Sequence, residues 1–152
     1  MNKISVFIAD DHAILRTGLR MLIESQKNMR VAGEAGTGAE ALRGTAELDP
    51  DVILLDISMP DMNGLEVARR ILAKNRAARI LVLTIHEGEE YLREFMKIGA
   101  SGYIVKRAAD TELVQAINVV HSGSGFIHSF LTNSLKKSEA KLSPREKAVL
   151  IL

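Results

Sequence analysis

Apolar runs of strand length alternate along the chain with segments whose apolar residues recur at helical spacing. Ile4 to Ala9 is the first run, and Asp51-Val52-Ile53-Leu54-Leu55-Asp56, Arg79-Ile80-Leu81-Val82-Leu83-Thr84 and Tyr103-Ile104-Val105 are three more. Their apolarity is continuous rather than alternating, which predicts strands buried on both faces, as in a parallel sheet. A weaker run, Met29 to Ala35, alternates in part and reads as an edge strand. Between the runs, Leu15, Leu19, Leu22 and Ile23 share one helical face. Leu65, Ala68, Ile71 and Leu72 share a second, Leu92, Phe95 and Met96 a third, and Leu113, Ile117 and Val120 a fourth. Asn63 predicts an N-cap for the helix that follows it, Asp110 or Thr111 a cap for the last helix, and Gly123 its end. Residues 38–48 are rich in Ala and Glu but interrupted by Gly44, so their helical pattern is weaker.

Five βα units complete by residue 122 predict an α/β fold built on an open, doubly wound sheet. Short connections require right-handed crossovers, which place helices on both faces. After Gly125 the pattern weakens: Phe126 to Leu135 reads as one short amphipathic helix, and Ser134 to Lys141 as a polar linker. A length of 152 residues leaves little for a second domain, and 47% hydrophobic with 26% charged residues excludes disorder. With no cysteine, a disulfide scaffold, a thiolate metal site and a Cys nucleophile are all excluded. The net charge is +1, so no chain-wide basic field draws in nucleic acid or a membrane, although residues 134–152 carry a local net +3. The first apolar run reaches Asp10 too soon for a signal peptide, and no run has membrane-spanning length. The expectation is a soluble, cytoplasmic protein.

In open α/β sheets, sites form outside the carboxyl ends of the strands. Read there, the runs end in Asp10-Asp11, Asp56, Thr84 and Lys106: three carboxylates, a hydroxyl and an ammonium on one edge. Each has a plainer reading, Asp11 as a helix cap, Thr84 as strand chemistry and Lys106 as a surface lysine; the conjunction is what points to a site. Crowded carboxylates repel unless a cation enters, and hard oxygen donors with no His or Cys among them suit Mg²⁺. Four histidines occur, none at metal-ligand spacing. His12 and His86 could touch the site but read as surface residues, and His121 and His128 as structural or solvent-facing.

Asp10-Asp11, the stretch Leu54-Leu55-Asp56-Ile57-Ser58-Met59-Pro60-Asp61-Met62-Asn63-Gly64, Thr84, and Tyr103 three residues before Lys106 together resemble the receiver domain of two-component response regulators. The resemblance covers residues 4–122. It implies a flavodoxin-like fold, a five-stranded parallel sheet in the order 2-1-3-4-5. It further implies that Asp56 accepts a phosphoryl group from a sensor histidine kinase. Asp11, Asp56 and the backbone carbonyl of Ser58 would hold Mg²⁺, with Asp10 acting through bound water. Lys106 and Thr84 would bind the phosphoryl oxygens, Thr84 and Tyr103 would form the switch, and Pro60 and Gly64 would shape the loop. Such a chain is a phosphoacceptor rather than an enzyme, beyond catalysing its own phosphorylation and dephosphorylation. Receivers often carry Pro after the lysine, where this chain has Arg107.

Lys141-Leu142-Ser143-Pro144-Arg145-Glu146 resembles the opening of the helix-turn-helix domain of NarL/FixJ (LuxR-type) regulators, with Ser143 and Glu146 as a capping box and Pro144 at the first helical position. The implied organisation is a receiver over 1–124, a linker over 125–141 and the start of a DNA-binding domain over 142–152. DNA would be bound only by the full-length protein, because the recognition helix is absent here. A homodimer is expected, no membrane partner is, and control of transcription is the implied output.

Rival readings exist. Gly36-Thr37-Gly38-Ala39-Glu40-Ala41 matches G-x-G-x-x-A after a strand, with Asp56 at the spacing of a ribose-binding acid, as in a dinucleotide-binding Rossmann module. That reading leaves Asp10, Asp11, Thr84 and Lys106 unexplained. A phosphoaspartate hydrolase would want an Asp where Ser58 stands, and a serine hydrolase lacks its G-x-S-x-G.

Overall fold

The computed structural model describes residues 3–85 and 89–127. The strands are β1 (Ile4–Ala9), β2 (Met29–Ala35), β3 (Val52–Asp56), β4 (Ile80–Thr84), β5 (Gly102–Val105) and β6 (Phe126–Ile127). The helices are α1 (Ala13–Glu24), α2 (Gly38–Leu48), α3 (Gly64–Lys74), α4 (Glu89–Ile98) and α5 (Ala109–His121), with a 3₁₀ turn at Lys106–Ala108. All strand pairs are parallel, in the order β2-β1-β3-β4-β5-β6. The expected 2-1-3-4-5 arrangement is therefore present, with β2 at one edge.

Alternation along each strand divides the core in two, since successive side chains point to opposite faces. Val6, Ile8, Leu54, Leu81, Leu83 and Ile104 pack under α1 and α5 with Leu19, Ile23, Leu113 and Ile117. Phe7, Ile53, Leu55, Val82 and Tyr103 pack under α2, α3 and α4 with Val67, Ile71, Leu92 and Phe95. Burial on both faces is why the strand sequences read as unbroken apolar runs.

Three expectations change. A sixth strand, Phe126–Ile127, pairs with Gly102 and Tyr103 of β5. The reading of 126–135 as one helix fails at its first two residues; 128–152, with the rest of the linker and the DNA-binding stub, lie outside the described residues. Second, the helix expected over 38–48 is present as α2, but Gly44 does not interrupt it. A Cβ there would stand 2.6 Å from Phe7 Cε2, so glycine lets the helix lie directly on that ring. Third, α5 begins at Ala109 after Ala108, with no side-chain cap; Asp110 instead lies in its first turn, where a negative charge suits the helix dipole. Asn63 does cap α3, its side chain accepting from Leu65 N–H at 2.7 Å, and Gly123, at φ +98°, follows the end of α5. Among the described residues no helix is long and apolar enough to cross a membrane.

Candidate functional site

Register assembles the site. Ala9 pairs with Leu55, Asp56 with Leu83, and Thr84 with Val105, so the residues that end β1, β3, β4 and β5 meet on one edge of the sheet. Asp10 follows β1 and is buried, its N–H donating to the Ala35 carbonyl at 3.0 Å. Asp56 and Thr84 close their strands and are buried as well. Lys106 leaves β5 and extends over both acids, its Nζ 3.2 Å from Asp10 Oδ2 and 3.0 Å from Asp56 Oδ2. Asp11 sits beside them, partly exposed.

Charge is held here at a cost. Burial pushes the Asp56 carboxyl above the usual carboxylate range; the Lys106 ammonium opposes the rise, and the neighbouring Asp10 carboxylate adds to it. Asp10, Asp11, His12 and Asp56 each offer a donor atom within 4.8 Å of the others, a group able to hold a metal ion. Three carboxylates against one ammonium leave two negative charges in excess, which a divalent cation would cancel.

The loop after β3 is tightly folded. Ser58 N–H donates to Asp56 Oδ1 at 3.2 Å, orienting the carboxylate. Gly64 N–H donates to the Ile57 carbonyl at 2.7 Å, and a Cβ on Gly64 would lie 2.6 Å from the Asp56 carbonyl oxygen. Only glycine fits that crossing over the strand end. Pro60 is exposed in the same loop. Tyr103 is buried beneath α4, its ring centroid 6.0 Å from that of Phe95. Burial pushes its phenol up to about 12, opposed in part by the Thr84 hydroxyl. No described peptide bond is cis, so the chain leaves Lys106 for Arg107 through a trans bond into the 3₁₀ turn.

Two parts of the site are not visible as sequence patterns. Asp61, in the β3–α3 loop, accepts from Gly38 N–H at 2.7 Å and Ala39 N–H at 3.0 Å, capping α2 from outside. Those bonds hold its carboxyl below the usual range, the Gly38 bond contributing most. Arg16 of α1 donates to the Asp10 backbone carbonyl and to Glu34 Oε1, bracing the end of β1. Their partners lie 23 and 6 residues away for Asp61 and Asp10 respectively, and neither spacing is a motif.

Asp61 also accounts for the glycine-rich decoy. The helix N-terminus that would cradle a pyrophosphate in a Rossmann module is occupied by this chain's own carboxylate. Asp56, the would-be ribose acid, belongs to the acidic cluster. Of the histidines, His12 stands beside that cluster, His121 ends α5, and His86 and His128 lie outside the described residues.

The chain matches the model of the response regulator receiver domain over residues 6–118. It belongs to the response regulator receiver family. It is 36% identical over 141 residues to the transcriptional regulatory protein DegU of Brevibacillus brevis, an alignment covering 93% of this chain and 60% of that protein. It is 40% identical over 131 residues to the oxygen regulatory protein NreC of Staphylococcus epidermidis, covering 86% and 60%. The structure of a LuxR-family two-component response regulator from Aurantimonas superposes with a TM-score of 0.87 at 33% identity, covering 91% of this chain and 99% of that one. The chain spans about 60% of the length of the curated relatives it matches. Within the receiver, the matched segment contains Asp10, Asp11, Asp56, Thr84, Tyr103 and Lys106, and the dinucleotide-binding reading finds no support.

Proposed function

We propose that this receiver accepts a phosphoryl group on Asp56 from a sensor histidine kinase in the cytoplasm and relays its state to a C-terminal DNA-binding domain of the full-length protein. The observation that carries the reading is the Asp56 carboxylate, buried at a strand end, 3.0 Å from an ammonium and inside an acidic cluster. In the transfer, an Asp56 oxygen bonds to phosphorus while the bond from phosphorus to the donor imidazole breaks. The imidazole nitrogen keeps that electron pair and takes up a proton.

A carboxylate attacks a dianionic group poorly, so charge cancellation and positioning carry the rate. Lys106 supplies one positive charge. Asp11, Asp56 and the Ser58 carbonyl, with Asp10 through water, would hold Mg²⁺, which would supply further charge cancellation. The hard-oxygen donor set fits it. Ser58 N–H fixes the Asp56 rotamer, and Gly64 keeps the loop close enough to do so. The same groups allow self-phosphorylation from small donors and slow self-dephosphorylation.

The new group brings a charge of about −1.5 to −2. Thr84 then turns its hydroxyl to a phosphoryl oxygen, and Tyr103 repacks in the space that this opens. The face formed by α4, β5 and α5 changes with them, and the receiver pairs as a homodimer. Moving such an equilibrium from 1:99 to 99:1 takes about 5.5 kcal/mol, and a few charge-assisted hydrogen bonds at roughly 1.5–3 kcal/mol each supply it.

Acetyl phosphate with and without Mg²⁺, read by intact mass, tests the assignment. One phosphoryl group should add to the natural chain only with Mg²⁺, and none to Asp56→Asn. Unchanged labelling of that variant would remove Asp56 from its role. Size-exclusion chromatography with and without beryllofluoride should show the dimer.

A further inference from the structure

The acidic cluster has a fourth member that the phosphoryl-acceptor reading does not use. His12 is the residue before α1, and its side chain makes no capping hydrogen bond to the helix. The ring turns toward the acids, placing Nδ1 3.1 Å from Asp11 Oδ1 and 3.3 Å from Asp10 Oδ1. The His12 N–H also donates to Asp10 Oδ1 at 2.8 Å, so imidazole and carboxylate are locked to the same short segment. Two buried oxygens at the site, Asp10 Oδ2 and Asp56 Oδ2, have no partner among the described residues other than the Lys106 ammonium.

Those separations have a meaning in coordination geometry. Donors bound at about 2.1 Å to one cation lie about 3.0 Å apart at adjacent corners of an octahedron and about 3.4 Å apart in a tetrahedron. The distance from His12 to Asp11, the acid of the pair that would bind the cation directly, is 3.1 Å and falls between these values; the 3.3 Å contact with Asp10 is a hydrogen bond. We propose that His12 Nδ1 is a direct ligand in the divalent-cation site, which adapts this receiver to borderline first-row cations such as Zn²⁺ in addition to Mg²⁺. The inference rests on the acidic cluster being the metal site of the proposed function. Mg²⁺ takes oxygen donors and gains little from an imidazole, whereas Zn²⁺ binds imidazole nitrogen strongly. The effect of His12 should therefore differ between the two ions.

A plainer account gives the opposite sign. If His12 were only a protonated partner of the two carboxylates, it would repel any cation, and its removal would strengthen binding of both ions. Calorimetric titration of the 152-residue chain with Mg²⁺ and with Zn²⁺, on the natural sequence, His12→Ala and Asp56→Asn, separates the two. His12 is exposed, so its truncation leaves the fold intact, which circular dichroism verifies. The expected result is a loss of Zn²⁺ affinity of roughly tenfold or more in His12→Ala, against less than about threefold for Mg²⁺. Zn²⁺ should also displace the side-chain nitrogen resonances of His12 in the natural chain. Zn²⁺ affinity equal or higher in His12→Ala, with those resonances unmoved, overturns the inference; if Mg²⁺ binding still depends on Asp56, the phosphoryl-acceptor reading survives it. Mg²⁺ binding that is absent, or indifferent to Asp56→Asn, overturns both.

Discussion

Asp56 and Asp61 stand five positions apart in one loop region and have opposite surroundings. Asp61 is exposed and accepts two backbone N–H groups at the start of α2, which hold its carboxyl low. Asp56 is buried, shares a site with two other acids and leans on one lysine, and its carboxyl is pushed up. The first is a brace, stable as it is. The second is incomplete without more positive charge, and that incompleteness suits it to receive a cation and a phosphoryl group. Residue type alone does not separate the two; burial and the nature of the donors do.

Removing the lysine should widen the contrast most. Lys106→Met strands two buried carboxylates, and loss of one partner from a buried ion pair costs about 3 kcal/mol or more. Urea unfolding at neutral pH without divalent ions should show that loss. The Asp56 carboxyl is raised in the folded state, so the proton stabilises the fold. The stability it gives is complete below the ordinary carboxylate range and disappears as pH rises through the folded value. The cost of Lys106→Met should therefore shrink at pH 5, and Mg²⁺ at neutral pH should restore part of it. A loss independent of both pH and Mg²⁺ would mean that Lys106 acts through packing.

Tyr103 extends the comparison to a third acid, one displaced mainly by burial. Its phenol moves from an ordinary 10.0 up to about 12, so the folded state holds the proton more tightly. Stability from this source is complete below pH 10 and is lost as pH rises toward 12, by about 2–3 kcal/mol. Tyr103→Phe should lack that alkaline loss in urea titrations at pH 9 and above, and an identical slope in both proteins would place the tyrosine in water.

The smallest effect belongs to Asp61. Its carboxyl is lowered in the fold, so its contribution is present above the ordinary carboxylate range and lost as pH falls through the folded value. Asp61→Ala should lower the urea midpoint slightly at neutral pH, with the difference vanishing in acid. Phosphoryl labelling should survive it. If labelling were lost with the cap, the two acids would not be separable in the way their surroundings suggest.

Much of this arrangement is written locally. Asp10, Asp56, Thr84 and Lys106 each end or directly follow an apolar run, and parallel register turns that local feature into a shared edge. The strands themselves are legible because both faces are buried. What is not legible depends on contacts between distant segments. Gly44 reads as a helix breaker until Phe7 is found against it, and Gly36-Thr37-Gly38 reads as a phosphate cradle until Asp61 is found in it. Phe126–Ile127 is too short to declare itself a strand without β5 beside it. His12 is exposed, as its sequence context suggests, but its approach to the acids depends on the backbone turn after Asp10, which brings its ring back to them.

The central claim is that Asp56, and no other acid of the cluster or its loop, carries the phosphoryl group. Borohydride reduction after acetyl phosphate treatment converts an aspartyl phosphate to homoserine, which peptide mass mapping locates. The account predicts homoserine at position 56 alone, with Asp10, Asp11 and Asp61 intact. Homoserine at any of those three positions, with Asp56 unmodified, would contradict it.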